Sequence, residues 1–141
     1  MDPEDLLART SRSFLSTPSV RAALLFGSRL TGRARSGSDV DIAVLLDAGA
    51  ATALRKPVLW VLYAALGKEL PSERLDLLIL NDAPPKLAWR VLKEGRVAFE
   101  RDPIDLHRFR VRTYSRHADL QHVERFLLTA SQQKLATVTR A

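Results

Sequence analysis

Apolar and polar positions along this chain switch between two periods, and the switching predicts a succession of helices and strands. Asp2-Pro3-Glu4-Asp5 reads as a helix start, with an N-cap, a proline at the first helical position and acids in the first turn. That helix is expected to reach about Leu15 and to stop at Ser16-Thr17-Pro18. Val20–Phe26 (VRAALLF) predicts a buried strand ended by Gly27-Ser28, then Leu30–Arg35 a short helix and Ser36-Gly37-Ser38 a turn. In Asp39–Leu46 (DVDIAVLL) the strand period is clean. Val40, Ile42, Val44 and Leu46 share one face, and Asp39, Asp41, Ala43 and Leu45 the other.

Ala50–Leu70 predicts a helix in which Pro57 demands a kink or a late start. Leu75–Leu80 (LDLLIL) predicts a third strand, and Pro84–Glu94 a helix with Gly95 at its C′ position after a Pro84-Pro85 connector. Val97–Glu100 is a short strand at a sheet edge. Asp102-Pro103 repeats the N-cap and proline start, and helix is expected to roughly Gln133, with the last eight residues frayed. No repeat, low-complexity tract or Gly/Ser linker interrupts the series. Strands alternating with helices give an α/β (α+β) class, a small mixed β-sheet flanked by helices with a helical C-terminal segment.

Composition narrows this. At 141 residues, 46% apolar and 27% charged, the chain fits one soluble domain with its own core. The absence of cysteine excludes a disulfide scaffold, a thiol nucleophile and a Cys-ligated metal. The longest apolar stretch, near Val58–Leu66, is shorter than the roughly 20 residues that span a bilayer. The N-terminus carries acids where a secretory signal has basic residues, so a cytoplasmic protein is expected. The net charge of +6 comes mostly from arginine, 17 Arg to 5 Lys. Between Asp5 and Asp39 there is no acid, but there are Arg9, Arg12, Arg21, Arg29, Arg33 and Arg35. Such a segment suits an anionic partner: a nucleic acid, a nucleotide or an acidic protein.

Gly27–Asp41 (GSRLTGRARSGSDVD) carries the chemistry. Gly27-Ser28 lies between a strand and a helix, where a bare backbone, free N–H groups and a hydroxyl can meet phosphate oxygens. Asp39 and Asp41, two apart on a strand, share a face about 7 Å apart at Cα, a spacing that can hold Mg2+ against a nucleotide's phosphates. Asp76 is an acid inside an apolar strand; if that strand pairs beside Asp39–Leu46, it joins the same face. It would then complete a two-metal site and could take the proton from an attacking hydroxyl. Taken singly, each feature has a plainer explanation. A DxD is often structural, a Gly-Ser is often a turn, and Asp76 could pair with Arg74 or Arg90.

Together, Gly27-Ser28, ten residues and Asp39-x-Asp41 resemble the signature of the nucleotidyltransferase superfamily related to DNA polymerase beta, with Asp76 matching its third carboxylate. The resemblance implies Mg2+ held by Asp39, Asp41 and Asp76, and a triphosphate held by Gly27 and Ser28. It implies transfer of a nucleoside monophosphate to a hydroxyl. Arg29, with Arg33 and Arg35, is expected within reach of the triphosphate or the acceptor. Residues 1–100 would then form the catalytic core, and residues 101–141 a helical extension packed on the same domain.

With no separate acceptor-binding domain after Glu100, the chain looks like the minimal nucleotidyltransferase (MNT) antitoxins paired with HEPN-domain RNase toxins. That resemblance implies AMP transfer from ATP onto a toxin tyrosine, and a HEPN toxin as partner, with no membrane and no direct nucleic-acid binding. Homo-oligomer and hetero-oligomer with the toxin both stay open. The competing readings are an antitoxin acting by binding alone, an aminoglycoside-type enzyme on a small alcohol, and extension of a nucleic acid.

Arg108, Arg112 and Arg116 recur at helical spacing and form either a docking stripe or a solvated face offset by Asp105 and Asp119. Trp60, Tyr63, Trp89 and Phe99 are expected in the core or an interface. His107, His117 and His122 lack zinc-site spacing.

Overall fold

The computed structural model describes residues 1–32, 37–49 and 55–139. Arg33, Arg35 and the first part of the expected Ala50–Leu70 helix lie outside the described residues. The elements, in order, are α1 (Pro3–Phe14), β1 (Val20–Phe26), α2 (Ser28–Thr31), β2 (Val40–Leu46), α3 (Arg55–Glu69), β3 (Leu75–Ile79), α4 (Pro85–Glu94), β4 (Arg96–Glu100) and α5 (Pro103–Thr139). A 3-10 turn, Leu80–Asp82, follows β3.

The strands form one mixed sheet in the order β3-β2-β1-β4. β1 pairs antiparallel with β2 and β4, while β2 and β3 run parallel. The clean alternation in β2 sorts its side chains between two helical layers. Val40, Ile42, Val44 and Leu46 join Leu6 and Phe14 of α1 and Leu62 and Leu66 of α3 in one core cluster. Ala43 and Leu45 join Ala88, Val91 and Leu92 of α4 and Leu106 and Phe109 of α5 in a second. β2 is therefore covered on both faces, as a central strand with a parallel neighbour must be.

Several local expectations shift. α1 begins as read: Asp2 accepts from the amide of Asp5 at 2.8 Å. The helix after Gly27 starts at Ser28, two residues before the expected Leu30, because Gly27 itself serves as its N-cap. The third strand ends at Ile79, where Asn81 takes over. Its side chain accepts from the Leu46 amide at 2.9 Å and donates to the Leu46 carbonyl at 3.0 Å, imitating one more residue of strand. Gly95 ends α4 with φ −77° rather than in the left-handed region expected at C′. It is needed for space: a Cβ there would sit 2.6 Å from the Val91 carbonyl oxygen and 3.0 Å from that of Leu25.

Arg101 closes the domain. Its Nε donates to the Val20 carbonyl at 3.0 Å, and its Nη2 to the carbonyls of Phe14 and Thr17 at 2.8 and 3.0 Å. One side chain thus satisfies three backbone acceptors at the α1–β1 connection. Phe99 is buried against Phe14 as expected, with ring centroids 6.3 Å apart. Trp60, by contrast, is 78% exposed, and Tyr63 is also exposed.

α5 outruns its expected end and continues through Thr139. Its packing on the domain stops much earlier. Leu106, Phe109, Thr113 and His117 are buried, but Leu120, Val123, Phe126, Leu127 and Leu128 are all exposed. The extension is thus packed on the domain only through His117, which stacks on Trp89 at 4.4 Å.

Gly95→Ala is expected to destabilise the fold by about 1–3 kcal/mol, because the new methyl meets backbone oxygens that cannot swing aside. Urea unfolding checks it: the midpoint should fall with the slope unchanged.

Candidate active site

The site lies at the edge of the sheet where β1 ends and β2 and β3 begin. Parallel pairing in register sets Asp41 directly opposite Asp76, and the antiparallel pair sets it opposite Phe26. By strand alternation Asp39, Asp41 and Asp76 all face the α4 side, the face of Ala43, Leu45 and Leu78. The condition attached to Asp76 is therefore met. Neither Arg74 nor Arg90 is its recorded salt-bridge partner: Arg74 lies 3.5 Å from Asp39, and Arg90 lies 3.4 Å from Glu94.

The three acids differ in exposure. Asp39 and Asp76 are exposed and only Asp41 is half-buried, because the pair sits at the open end of the strands. Charge is nonetheless concentrated there. Burial pushes the Asp41 carboxyl above the ordinary carboxylate range, and the charges of Asp76 and Asp39 and a hydrogen bond with Asp76 push it the same way. A donor set of hard oxygens with uncompensated negative charge is what Mg2+ binds. The residues present therefore fit a divalent cation. Among the described residues they do not form a ready-made cluster. Asp39 would have to exchange Arg74 for the ion, a small loss at a pair whose side chains are 80% and 48% exposed.

Gly27 holds the other side of the site. It has φ +82°, a region that only glycine enters freely, and a Cβ built on it would run into the Asp41 carboxylate. The turn thus lays bare backbone against the carboxylate and starts α2, where the Leu30 amide donates to the Gly27 carbonyl at 3.2 Å. Ser28 stands at that first helical position. Beside Gly27 a hollow of about 180 Å3 is lined by Phe26, Leu87, Arg90, Val91 and Glu94.

Arg29 sits next to this turn but is already engaged. Its Nη1 donates to Glu73 Oε2 at 2.7 Å and to the Ser38 carbonyl at 3.2 Å, and its Nη2 to Glu73 Oε1 at 3.3 Å. The hydrogen bond with Glu73 holds the guanidinium above its ordinary pKa and the Glu73 carboxyl below its own. Glu73 was not singled out from the sequence. Only an acid shortly before a strand marks it, and that is an ordinary place for an acid. The Arg108, Arg112 and Arg116 stripe lies elsewhere and is exposed. Asp105 does not offset it, being paired with Arg21 at 2.7 Å. A larger cleft of about 770 Å3 lies between α5 and the opposite end of β2, lined in part by Arg108 and Arg112.

The profile of the family "Polymerase beta, Nucleotidyltransferase" matches residues 10–104, a span that contains Gly27, Ser28, Asp39, Asp41 and Asp76. The chain belongs to this family. Among relatives of this nucleotidyltransferase, the protein adenylyltransferase MntA of Aphanizomenon flos-aquae (strain 2012/KM1/D3) is 27% identical over 119 residues, covering 81% of this chain and 79% of that one. A crystal structure of a toxin–antitoxin with AMP-PNP is similar with a TM-score of 0.66 at 27% identity, over 92% of this chain and 98% of that one. The structure of a tri-AMPylated Shewanella oneidensis HEPN toxin in complex with its MNT antitoxin contains a chain matching with a TM-score of 0.61 at 25% identity. That match covers 94% of this chain and 99% of that one. No helix among the described residues is long and apolar enough to cross a membrane.

Asp41→Asn is expected to raise the melting temperature of the metal-free protein by roughly 3 °C at neutral pH, by removing a like-charge contact. The sign follows from the raised pKa of the folded state. The cost of ionising Asp41 is fully present above that pKa and fades as pH falls towards the unfolded value. The gain over the parent should therefore shrink in acid, and thermal scans across pH check it.

Proposed function

We propose that this nucleotidyltransferase is a Mg2+-dependent protein adenylyltransferase that moves AMP from ATP onto a hydroxyl, a tyrosine of a HEPN RNase toxin, and so acts as that toxin's antitoxin. The observation that carries this reading is the in-register pairing of Asp41 with Asp76, against the turn of Gly27, in a chain whose relatives include an adenylyltransferase and the antitoxin of a tri-AMPylated toxin complex.

Asp39, Asp41 and Asp76 would hold Mg2+, which supplies charge neutralisation on the triphosphate and the leaving pyrophosphate. Gly27 offers backbone and Ser28 a hydroxyl and first-turn amide to the phosphate oxygens. The acceptor oxygen attacks the α-phosphorus, its bond to the β-phosphate oxygen breaks, and pyrophosphate departs. Asp76, exposed at the start of β3, can take the acceptor's proton. ATP as donor is consistent with a cytoplasmic setting.

A second reading, neutralisation by binding alone, rests on α5, whose distal half presents Leu120, Val123, Phe126 and Leu127 to solvent. The two readings part in one assay. With ATP labelled at the α-phosphate, Mg2+ and the HEPN partner, label should appear on the toxin. In Asp39→Ala/Asp41→Ala it should fall by more than about 100-fold, since losing direct ligands costs more than losing the groups behind them. The complex should survive in that variant while toxin neutralisation is lost. Full neutralisation by the double variant, with no label on the toxin in the parent reaction, would overturn adenylyl transfer.

A further inference from the structure

Arg29 carries a charge, stands beside the phosphate turn, and invites assignment as a triphosphate ligand. Its geometry says otherwise. Two of its nitrogens grip both oxygens of Glu73, and one of them also donates to the Ser38 carbonyl. The pair is enclosed, with side chains only 15% and 18% exposed, whereas the neighbouring Arg74–Asp39 pair is open to water. A planar fork fully matched to a carboxylate is a fixed structure rather than a free cation.

Three chain segments meet at that fork. Arg29 belongs to α2, which starts at the Gly27 turn. Ser38 immediately precedes Asp39. Glu73 precedes β3, which carries Asp76, and the adjacent Arg74 gives its carbonyl to the Val40 amide at 2.7 Å. The phosphate turn and both metal-ligand strands are thus tied to one another at their entry points. Asp39 stands immediately before β2, which begins at Val40.

We propose that Arg29 and Glu73 together are positioning residues that set the spacing of Asp39 and Asp41 against Asp76, and that Arg29 does not serve by gripping the triphosphate. The part-buried Arg29–Glu73 pair stays made throughout the cycle, while the exposed Arg74–Asp39 pair opens to release Asp39 to the cation. The inference rests on the adenylyl-transfer reading for its kinetic readout, but its structural readout does not depend on what the acceptor is.

The test compares Arg29→Lys, Glu73→Gln and the double variant, each conservative enough to keep the local volume, with the swapped pair Arg29→Glu/Glu73→Arg as a fourth chain. Positioning predicts that both single variants lower kcat about tenfold, with the KM for ATP changed less than about twofold. The double variant should be no worse than either single one, and the swapped pair should recover part of the loss. Independently of any reaction, hydrogen exchange at the amides of Asp39 and Val40 should speed up alike in both single variants, in the ligand-free protein. Binding of Mg2+ with a non-hydrolysable ATP analogue, followed by calorimetry, should weaken equally in both. If Arg29→Lys alone raises the KM for ATP and weakens analogue binding, while Glu73→Gln behaves as the parent and exchange at Asp39 is unchanged, the positioning role is overturned. Absence of transfer to a protein, with the exchange and binding results as expected, would instead count against the acceptor assignment.

Discussion

Like charge brought together by strand pairing is the constraint on which this molecule turns. β2 and β3 run parallel and in register, so Asp41 and Asp76 have no choice but to stand side by side. Asp39 adds a third carboxylate one strand step along. Burial of Asp41, together with the charges of Asp76 and Asp39, pushes its carboxyl above the ordinary range, so this arrangement lowers the stability of the metal-free fold. It is tolerable because it sits at the open end of the sheet, where water screens Asp39 and Asp76. The same feature concentrates hard oxygen donors and negative charge, the chemistry that a divalent cation requires.

The rest of the fold keeps that end of the sheet rigid. Two core clusters, one under α1 and α3 and one under α4 and α5, fix β2 from both faces. Asn81 stitches the far end of β2, and Arg101 stitches the chain entering β1. Gly27 and Gly95 permit backbone to come where a methyl group could not. At Gly27 the neighbour is the Asp41 carboxylate, and at Gly95 it includes the carbonyl of Leu25 in β1.

Much of this was legible in the chain. Strand β2 declared itself through strict alternation, and its two faces proved to be the two core layers. Gly27-Ser28 and Asp39-x-Asp41 were legible because each is contiguous in the chain, and the pairing of β1 with β2 then brings them together. The exposure of Asp39 and Asp76 was not legible, since an apolar run does not reveal that its first residues stand at an open sheet edge. The end of α5 was misjudged, and the extent of its packing was not legible. Its helix continues past the expected end, and its apolar residues beyond His117 continue the helical pattern without a domain to pack on. A pattern reports which residues could be buried and cannot report whether anything is there to bury them.

The sequence by itself determined the element order, the Gly27-Ser28 turn and the Asp39-x-Asp41 spacing, because each depends on neighbours in the chain. Tertiary structure alone decided what depends on register and on distant partners. It set Asp76 beside Asp41 through a parallel pairing that no local signal dictates. It also joined Arg29, expected within reach of a triphosphate, to Glu73, 44 residues away. Long-range ion pairs of this kind leave no periodic trace, since a charge on a loop looks the same in sequence whether it meets water, a ligand or another side chain.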